Sequence, residues 1–295
     1  MPYAVESKTL AGRDWSSILV NGNDPTIGKI NWDKIDINPL ADIFADNLQG
    51  FANFDDSLAW RTFDPGDNGV GVDPDGYIGG VYDGRYIYFV PNNNGTERHG
   101  EVLRHDTQGP FTDTSSWEAF DPGINGVGTD PDGFRGGVYD GRYIYFMPRH
   151  NGAEHHGEVL CHDTQGPFTD TNSWQTFDPG LNGIGVDPDG YIGGVYGRYI
   201  YFVPNNNGTE HHREVLRHDT QGIFTDTNSW QTFDPGLNGV GTDSDGYIGG
   251  VYDGRYIYFV PFRNQPDYHG EVLRYDTRRF PYQQVPSTVY GGSFF

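Results

Sequence analysis

Sulfur-containing and basic residues are scarce in this sequence. Its 295 residues include two methionines and one cysteine, Cys161, so no disulfide can form within one chain. The 19 basic side chains are outnumbered by 41 acidic ones, which gives a formal net charge of −22. Nucleic acids and anionic membrane surfaces attract clustered lysine and arginine, so this charge argues against both as partners. It favours cations or neutral polar ligands such as sugars.

Long apolar segments are also missing. The sequence has no run of 18 apolar residues, so it offers no candidate for a membrane-spanning helix, and no membrane insertion is expected. Residues 1–20 lack a basic start followed by an apolar core, so no signal peptide is expected there. The location stays open between the cytoplasm and an extracellular site reached by a non-classical route.

Aromatic residues, glycine and proline are abundant instead. Tyr, Phe and Trp make up 15% of the chain, which also contains 43 Gly and 19 Pro. Aromatic residues favour strands, and glycine and proline favour tight turns. No segment shows a sustained 3.6-residue apolar period. The composition therefore predicts an all-β protein with almost no helix.

A tandem repeat dominates the sequence. The segment GRYIYF begins at Gly84, Gly141, Gly197 and Gly254, at steps of 57, 56 and 57 residues. Four tryptophans keep the same step and are expected to pack between repeats: Trp60, Trp117, Trp174 and Trp230. A fixed period of this size is typical of a propeller or a solenoid.

Each repeat predicts four antiparallel strands. In the second copy these are Phe134–Asp140, Arg142–Pro148, Gly157–Asp163 and Ser173–Pro179, with a tight Asp-Gly turn between the first two. Four strands in about 50 residues correspond to one propeller blade. The segment Gly28–Trp60 aligns with Gly84–Trp117 and suggests a degenerate copy before the four clear ones.

The predicted fold is an all-β, five-bladed β-propeller of four-stranded blades that forms a single domain over residues 1–295. The blades are expected at 15–66, 76–123, 133–180, 190–236 and 246–290, the first being degenerate. Tyr282–Thr288 is expected to supply the fourth strand of the last blade. Four blades with an N-terminal extension are the alternative. A linear array ranks third because both ends would expose an edge.

The repeat resembles the kelch repeat. Kelch units have a Gly-Gly pair, a Tyr-rich second strand, a Tyr-Asp pair and a Trp at set spacings. The analogous residues of the second copy are Gly136-Gly137, Tyr143, His162-Asp163 and Trp174, and the last copy has Tyr275-Asp276. The match covers residues 60–280, although the Gly pair lies within a strand and not at its end. The resemblance implies a propeller and leaves the function open.

Two loops of each blade are expected to lie on one face. In an antiparallel blade, the loop between strands two and three and the crossover to the next blade open on the same side. We expect ligand-binding residues in these loops, because loops on a rigid scaffold carry binding groups. The candidates are Asn94, His99, Asn151, His156, Asn207, His212, Asn264 and His269. Asn94 and Asn207 also begin N-x-T sequons, for which a turn is the favoured interpretation.

Each crossover contains a D-x-D-G segment. The carboxylates are Asp73, Asp75, Asp130, Asp132, Asp187, Asp189, Asp243 and Asp245. Closely spaced carboxylates on a turn can bind calcium, the one cofactor that the sequence suggests. The EF-hand spacing is absent, and Asp-Pro-Asp-Gly is also ordinary turn chemistry. Both interpretations stay open.

The near-identity of the repeats favours binding over catalysis. Equivalent blades give equivalent pockets, which suit multivalent binding. The leading hypothesis is therefore a non-enzymatic, lectin-like protein that recognises carbohydrate or a glycoconjugate. A structural or surface assembly subunit that self-associates through its N- and C-terminal tails is the second hypothesis. A calcium-dependent glycoside hydrolase is the third.

Overall fold

The computed structural model describes residues 54–264 and 266–278, together with the paired strands β1 (Thr9–Leu10) and β2 (Arg13–Asp14). Two compact units, Met1–Arg61 and Thr62–Phe295, are described separately. Most of the expected first blade (15–66), the strand predicted at Tyr282–Thr288 and most of both terminal tails fall outside the described residues. The predictions for five blades and a single domain therefore stay predictions.

The second unit contains four antiparallel sheets in chain order. The first comprises β3 (Tyr77–Tyr82), β4 (Tyr86–Pro91), β5 (Val102–Asp106) and β6 (Trp117–Phe120). The second comprises β7 (Phe134–Tyr139), β8 (Tyr143–Pro148), β9 (Val159–Asp163) and β10 (Trp174–Phe177). The third comprises β11 (Tyr191–Tyr196), β12 (Tyr199–Pro204), β13 (Val215–Asp219) and β14 (Trp230–Phe233). The fourth comprises β15 (Tyr247–Tyr252), β16 (Tyr256–Pro261) and β17 (Leu273–Asp276).

The sheets follow one another as propeller blades do. Strands pair in sequence order within each sheet, and the first strands β3, β7, β11 and β15 contact one another in turn. The predicted all-β fold of repeated four-stranded sheets is confirmed. The helical structure within the described residues consists of three-residue 3-10 turns. The four described sheets do not close into a ring. In the same part of the chain, no helix is long and apolar enough to cross a membrane.

The core lies between successive sheets. Alternate side chains of each strand point to opposite faces, so Ile144 and Phe146 pack toward the first sheet, and Tyr145 and Met147 pack toward the third. The second and third sheets thus present a Phe/Ile/Trp face to the preceding sheet and a Tyr/Val face to the following one. Cys161 is buried in the second of these interfaces.

The Gly-Gly pair lets the first strands approach closely. Gly136 has φ +142°, and a Cβ atom there would lie 2.7 Å from the Cα of Gly193 in the next sheet. The pairing register of β7 with β8 also shifts between Phe134 and Gly137. A larger side chain at this bulge would force the sheets apart, so glycine is needed at this position.

The fourth strand of each complete sheet begins with a tryptophan held by a local motif. The indole Nε1–H of Trp174 donates to the Phe168 carbonyl at 2.7 Å, and the ring stacks on His162 at 4.2 Å between centroids. Asp170 caps the preceding 3-10 turn, Thr171–Ser173. Trp117 and Trp230 repeat this arrangement. Trp174 contacts Phe120 of the first sheet and Trp230 contacts Phe177 of the second, which confirms the predicted packing between repeats for these two tryptophans.

Candidate functional site

The two predicted loops do meet on one face. The Asn207 side-chain amide donates to an Asp187 carboxylate oxygen at 2.7 Å, and Asn264 contacts Asp243 in the same way at 2.5 Å. Asn207 and Asn264 lie in loops between strands two and three, whereas the aspartates lie in crossovers. In the third and fourth repeats, the structure thus joins residues that the sequence assigned separately to ligand and metal binding.

The asparagines also shape their own loops. Asn94 Oδ1 accepts hydrogen bonds from the backbone amides of Thr96 and Glu97, and Asn151 and Asn207 form the same Asx turns. In both sequons, the threonine hydroxyl also donates to the asparagine. These contacts agree with the interpretation of the sequons as turns.

The recurring histidines lie in the core. His99, His156 and His212 are buried, and each packs edge-on against the aromatic residue that begins the first strand of its sheet. Burial lowers the pKa of His212 to about 3, with the nearby Arg149 charge as the next cause. These rings are therefore neutral at pH 7 and are positioned beneath the loops. His269 packs against Tyr247 in the same way and is less deeply buried.

A glutamate anchors each D-x-D-G loop. The two carboxylate oxygens of Glu101 accept from the backbone amides of Val72 and Asp73 at 2.8 and 3.0 Å. Glu158, Glu214 and Glu271 hold the equivalent amides of the following loops. Such charge-assisted bonds fix a loop strongly. In the sequence, each of these glutamates stands two residues after a recurring histidine, and this spacing could have identified them. No function was predicted for them.

Two aspartates lie close together at the junction of the first and second sheets, and two more at the junction of the second and third. Asp132 and Asp189, which were predicted metal ligands, face Asp121 and Asp178 at the start of the same crossovers. Burial, followed by the Asp121 charge, raises the pKa of Asp132 to about 7. Burial, followed by the Asp178 charge, raises the pKa of Asp189 to about 7 as well. Asp121 and Asp178 were not among the predicted site residues, because their Asp-Pro-Gly context resembles an ordinary turn.

The third junction carries its own positive charge. Arg213 stands where the other repeats have Gly100, Gly157 and Gly270. Its guanidinium contacts Asp234 at 2.9 Å and Asp245 at 3.1 Å, the counterparts of the pairs described above. The described residues contain no cluster of three or more acidic, histidine or cysteine ligands that could hold a metal ion. Calcium binding by the eight crossover aspartates therefore stays a prediction.

A cleft beside Arg213 gathers several predicted residues. It has a volume of about 270 Å³ and lies on the loop face. Four of the predicted site residues line it: Asp187, Asn207, His212 and Asp245. Arg213, Glu210 and His211 are further polar lining residues. The cleft is smaller than the roughly 300–1,000 Å³ sites that take drug-sized ligands.

Comparison with models of known protein families and with curated proteins found no match. The class of protein is defined by the fold and the cleft. It is an all-β protein of blade-like repeats, with polar loops on one face. The resemblance to the kelch repeat stays a prediction.

Proposed function

We propose that this protein is a non-enzymatic, lectin-like binding protein that recognises carbohydrate through the loops on one face. The observation that carries the proposal is the cleft in which Asp187, Asn207 and Arg213 converge. Sugar hydroxyls are both donors and acceptors, so they are recognised by planar carboxylate, amide and guanidinium groups placed close together. The size of the cleft suits a single sugar ring.

The groups of the cleft are held in place before a ligand binds. The Asx turn fixes Asn207, Asn207 fixes Asp187, and Glu214 holds the backbone amide of Asp187 at 3.3 Å. Side chains that are already ordered lose little entropy on binding, which favours affinity. The Asn207–Asp187 contact recurs in the fourth repeat as Asn264–Asp243, where Gly270 replaces Arg213. A second, weaker site there would act together with the cleft on a multivalent glycan.

An Asp187→Asn variant tests the cleft after a glycan array has supplied a ligand. Asparagine keeps an acceptor for Asn207 and removes the charge, so folding should be preserved. We expect at least tenfold weaker binding of the ligand by isothermal titration calorimetry, because a charged hydrogen bond is lost. The matched control is Asp67→Asn, an exposed position where the sibling repeats carry Ile124, Leu181 and Leu237. Equal effects of the two variants, or an array without any bound glycan, would remove the proposal.

A second candidate function is assembly with further copies of the chain. In each of the first three sheets, one face packs against the sheet that follows. Among the described residues, nothing covers the corresponding face of the fourth sheet. Val251 is 57% exposed, whereas its counterpart Val195 in the third sheet is 6% exposed. Val260 in β16 and Val272, which directly precedes β17, are exposed as well. We propose that the first sheet of a second copy covers this face and thereby continues the internal interface. The predicted role of the terminal tails concerns residues mostly outside the described ones.

Sedimentation velocity over a range of protein concentrations tests the assembly. We expect the wild type to associate and a Val260→Arg variant to sediment as a monomer, because a charge would be buried in the interface. The control is Ile124→Arg, at an exposed loop position away from the fourth sheet. A wild-type protein that stays monomeric at the highest concentration would contradict this candidate function.

A further inference from the structure

The second repeat departs from its siblings at positions that lie together in space. Arg135 replaces an isoleucine that the other repeats keep as Ile78, Ile192 and Ile248. Arg149 and His150 replace the Asn-Asn pair of the first and third repeats. All three substitutions introduce a basic or titratable side chain. In a chain of net charge −22, such a local concentration of positive groups calls for a physical explanation.

Backbone carbonyls of the third repeat hold Arg149 in place. One terminal nitrogen, Nη1, donates to the Gly190 carbonyl at 3.0 Å and to the Asn206 carbonyl at 2.8 Å. The other N–H groups of the guanidinium make no hydrogen bond within the described residues. Asn206 directly precedes Asn207 of the cleft, so Arg149 lies beside the proposed carbohydrate site.

Two histidines extend the group along the same surface. The rings of His150 and His155 meet edge to face at 4.9 Å between centroids. His155 lies against the third repeat, where its Cδ2 would be 3.1 Å from a Cβ atom added at Gly190. The arrangement therefore spans the junction between the second and third sheets.

Arg98 approaches from the first repeat. Its aliphatic part lies against Gly133 and Gly152, and its Nη1 donates to the Asn92 side chain. Asn92 in turn donates to the Phe134 carbonyl at 2.7 Å, next to Arg135. Two successive repeats thus supply one basic cluster, which consists of Arg98, Arg135, Arg149, His150 and His155, and the third repeat holds it through backbone carbonyls.

The basic cluster has no direct ion pair among the described residues. Burial, followed by the charges of Arg135 and Arg98, lowers the pKa of Arg149 to about 10. Burial and then the Arg149 charge lower the pKa of His155 to about 4, and no carboxylate is among the causes. The protein accordingly holds guanidinium groups close together at an electrostatic cost.

We propose that the basic cluster binds an anionic group, a sulfate, phosphate or carboxylate, on the recognised ligand. A guanidinium offers a planar fork of donors that matches these oxyanions, and partial burial strengthens the attraction. The proposal rests on the carbohydrate function in one respect, since it makes the ligand an acidic sugar whose ring lies in the neighbouring cleft. The anion site itself does not depend on that function.

The sibling repeats supply variants that should fold. Arg135→Ile, Arg149→Asn and His150→Asn place in the second repeat the residues that the third repeat carries as Ile192, Asn205 and Asn206. The wild type and the triple variant are titrated with sodium sulfate, glucuronate and glucose by calorimetry, with sodium chloride keeping the ionic strength constant. We expect the wild type to bind sulfate and glucuronate, and the triple variant to bind both at least tenfold more weakly. A double variant, Arg85→Gln with Arg142→Gln, in two strand turns on the opposite face, removes the same number of arginine charges and should bind as the wild type does.

The outcomes separate this proposal from the carbohydrate function. Absence of sulfate and glucuronate binding, or binding that the triple variant keeps, overturns the anion site. If sulfate binding is lost in the variant while neither sugar binds the wild type, the anion site stands and its extension to an acidic sugar fails, whereas the carbohydrate function is decided by the glycan array. If glucose and glucuronate bind equally and the variant changes neither, the carbohydrate function stands and the anion site fails.

Discussion

Replacement of Trp174 by alanine is expected to lower the free energy of unfolding by about 3–5 kcal/mol, as is usual for a large buried aromatic residue. The indole is 3% exposed and fills the interface between the first two sheets. It contacts Phe120 of the first sheet at 5.8 Å and Phe168 at 5.6 Å between ring centroids. Its removal would leave a cavity, and the Phe168 carbonyl would lose the hydrogen bond from the indole Nε1–H. Denaturant unfolding followed by circular dichroism measures the loss.

Trp60 provides the matched control because it has the same local motif without the burial. Its indole donates to the Phe54 carbonyl at 3.0 Å, and the two rings meet at 5.2 Å. The Trp60 side chain is nevertheless 57% exposed. We expect Trp60→Ala to cost less than about 1 kcal/mol. An equal loss at Trp60 and Trp174 would contradict the explanation by burial between sheets.

The strands could be predicted because their signals are local. Alternating aromatic and β-branched residues around an Asp-Gly turn predicted a strand at Phe134–Asp140, and β7 covers Phe134–Tyr139. Asp140 fixes this turn by accepting from the backbone amides of Arg142 and Tyr143. The third repeat lacks the aspartate, and Arg198 takes a positive φ of 83° at that turn. The aspartate therefore serves the turn in the repeats that have it.

The candidate site was less predictable because its contacts join residues far apart in the chain. Arg149 contacts a carbonyl 41 residues away, and Glu101 holds amides 28 and 29 residues before it. A pattern of spacing within one repeat contains no information on such pairs. The burial of His99, His156 and His212 could not be read from the sequence either, since these histidines stand beside polar loop residues. Comparison of the repeats offers a partial signal, because Arg135, Arg149 and Arg213 are each the one basic residue at their position among the four repeats.

A double variant, Asp132→Asn with Asp189→Asn, is expected to be more stable than the wild type at pH 8 and to lose this advantage as the pH falls to 5. Both aspartates have folded-state pKa values of about 7, which are raised above the unfolded values by burial and by Asp121 or Asp178. The folded protein therefore binds these protons more tightly than the unfolded chain does, so the wild type gains stability as the pH falls through 7. Above pH 7 the ionised carboxylates repel their partners, which the neutral amides avoid. Since the side chains are only half-buried and solvent screens the charges, we expect about 1 kcal/mol per site.

The wild type must be compared with the double variant at each pH, because buried histidines change the stability in the opposite direction as the pH falls. Burial lowers the pKa of His162 and His218 to about 4, so folding loses stability as the pH falls below their unfolded value near 6.5. Thermal melts at matched pH values cancel this common contribution between the wild type and the double variant. The third junction gives a control of opposite sign. Asp245→Asn keeps an acceptor for Arg213 but removes the carboxylate charge, and it should lower the stability at pH 8 by about 1 kcal/mol. A stability difference between wild type and double variant that stays constant from pH 8 to 5 would show that Asp132 and Asp189 do not titrate in this range.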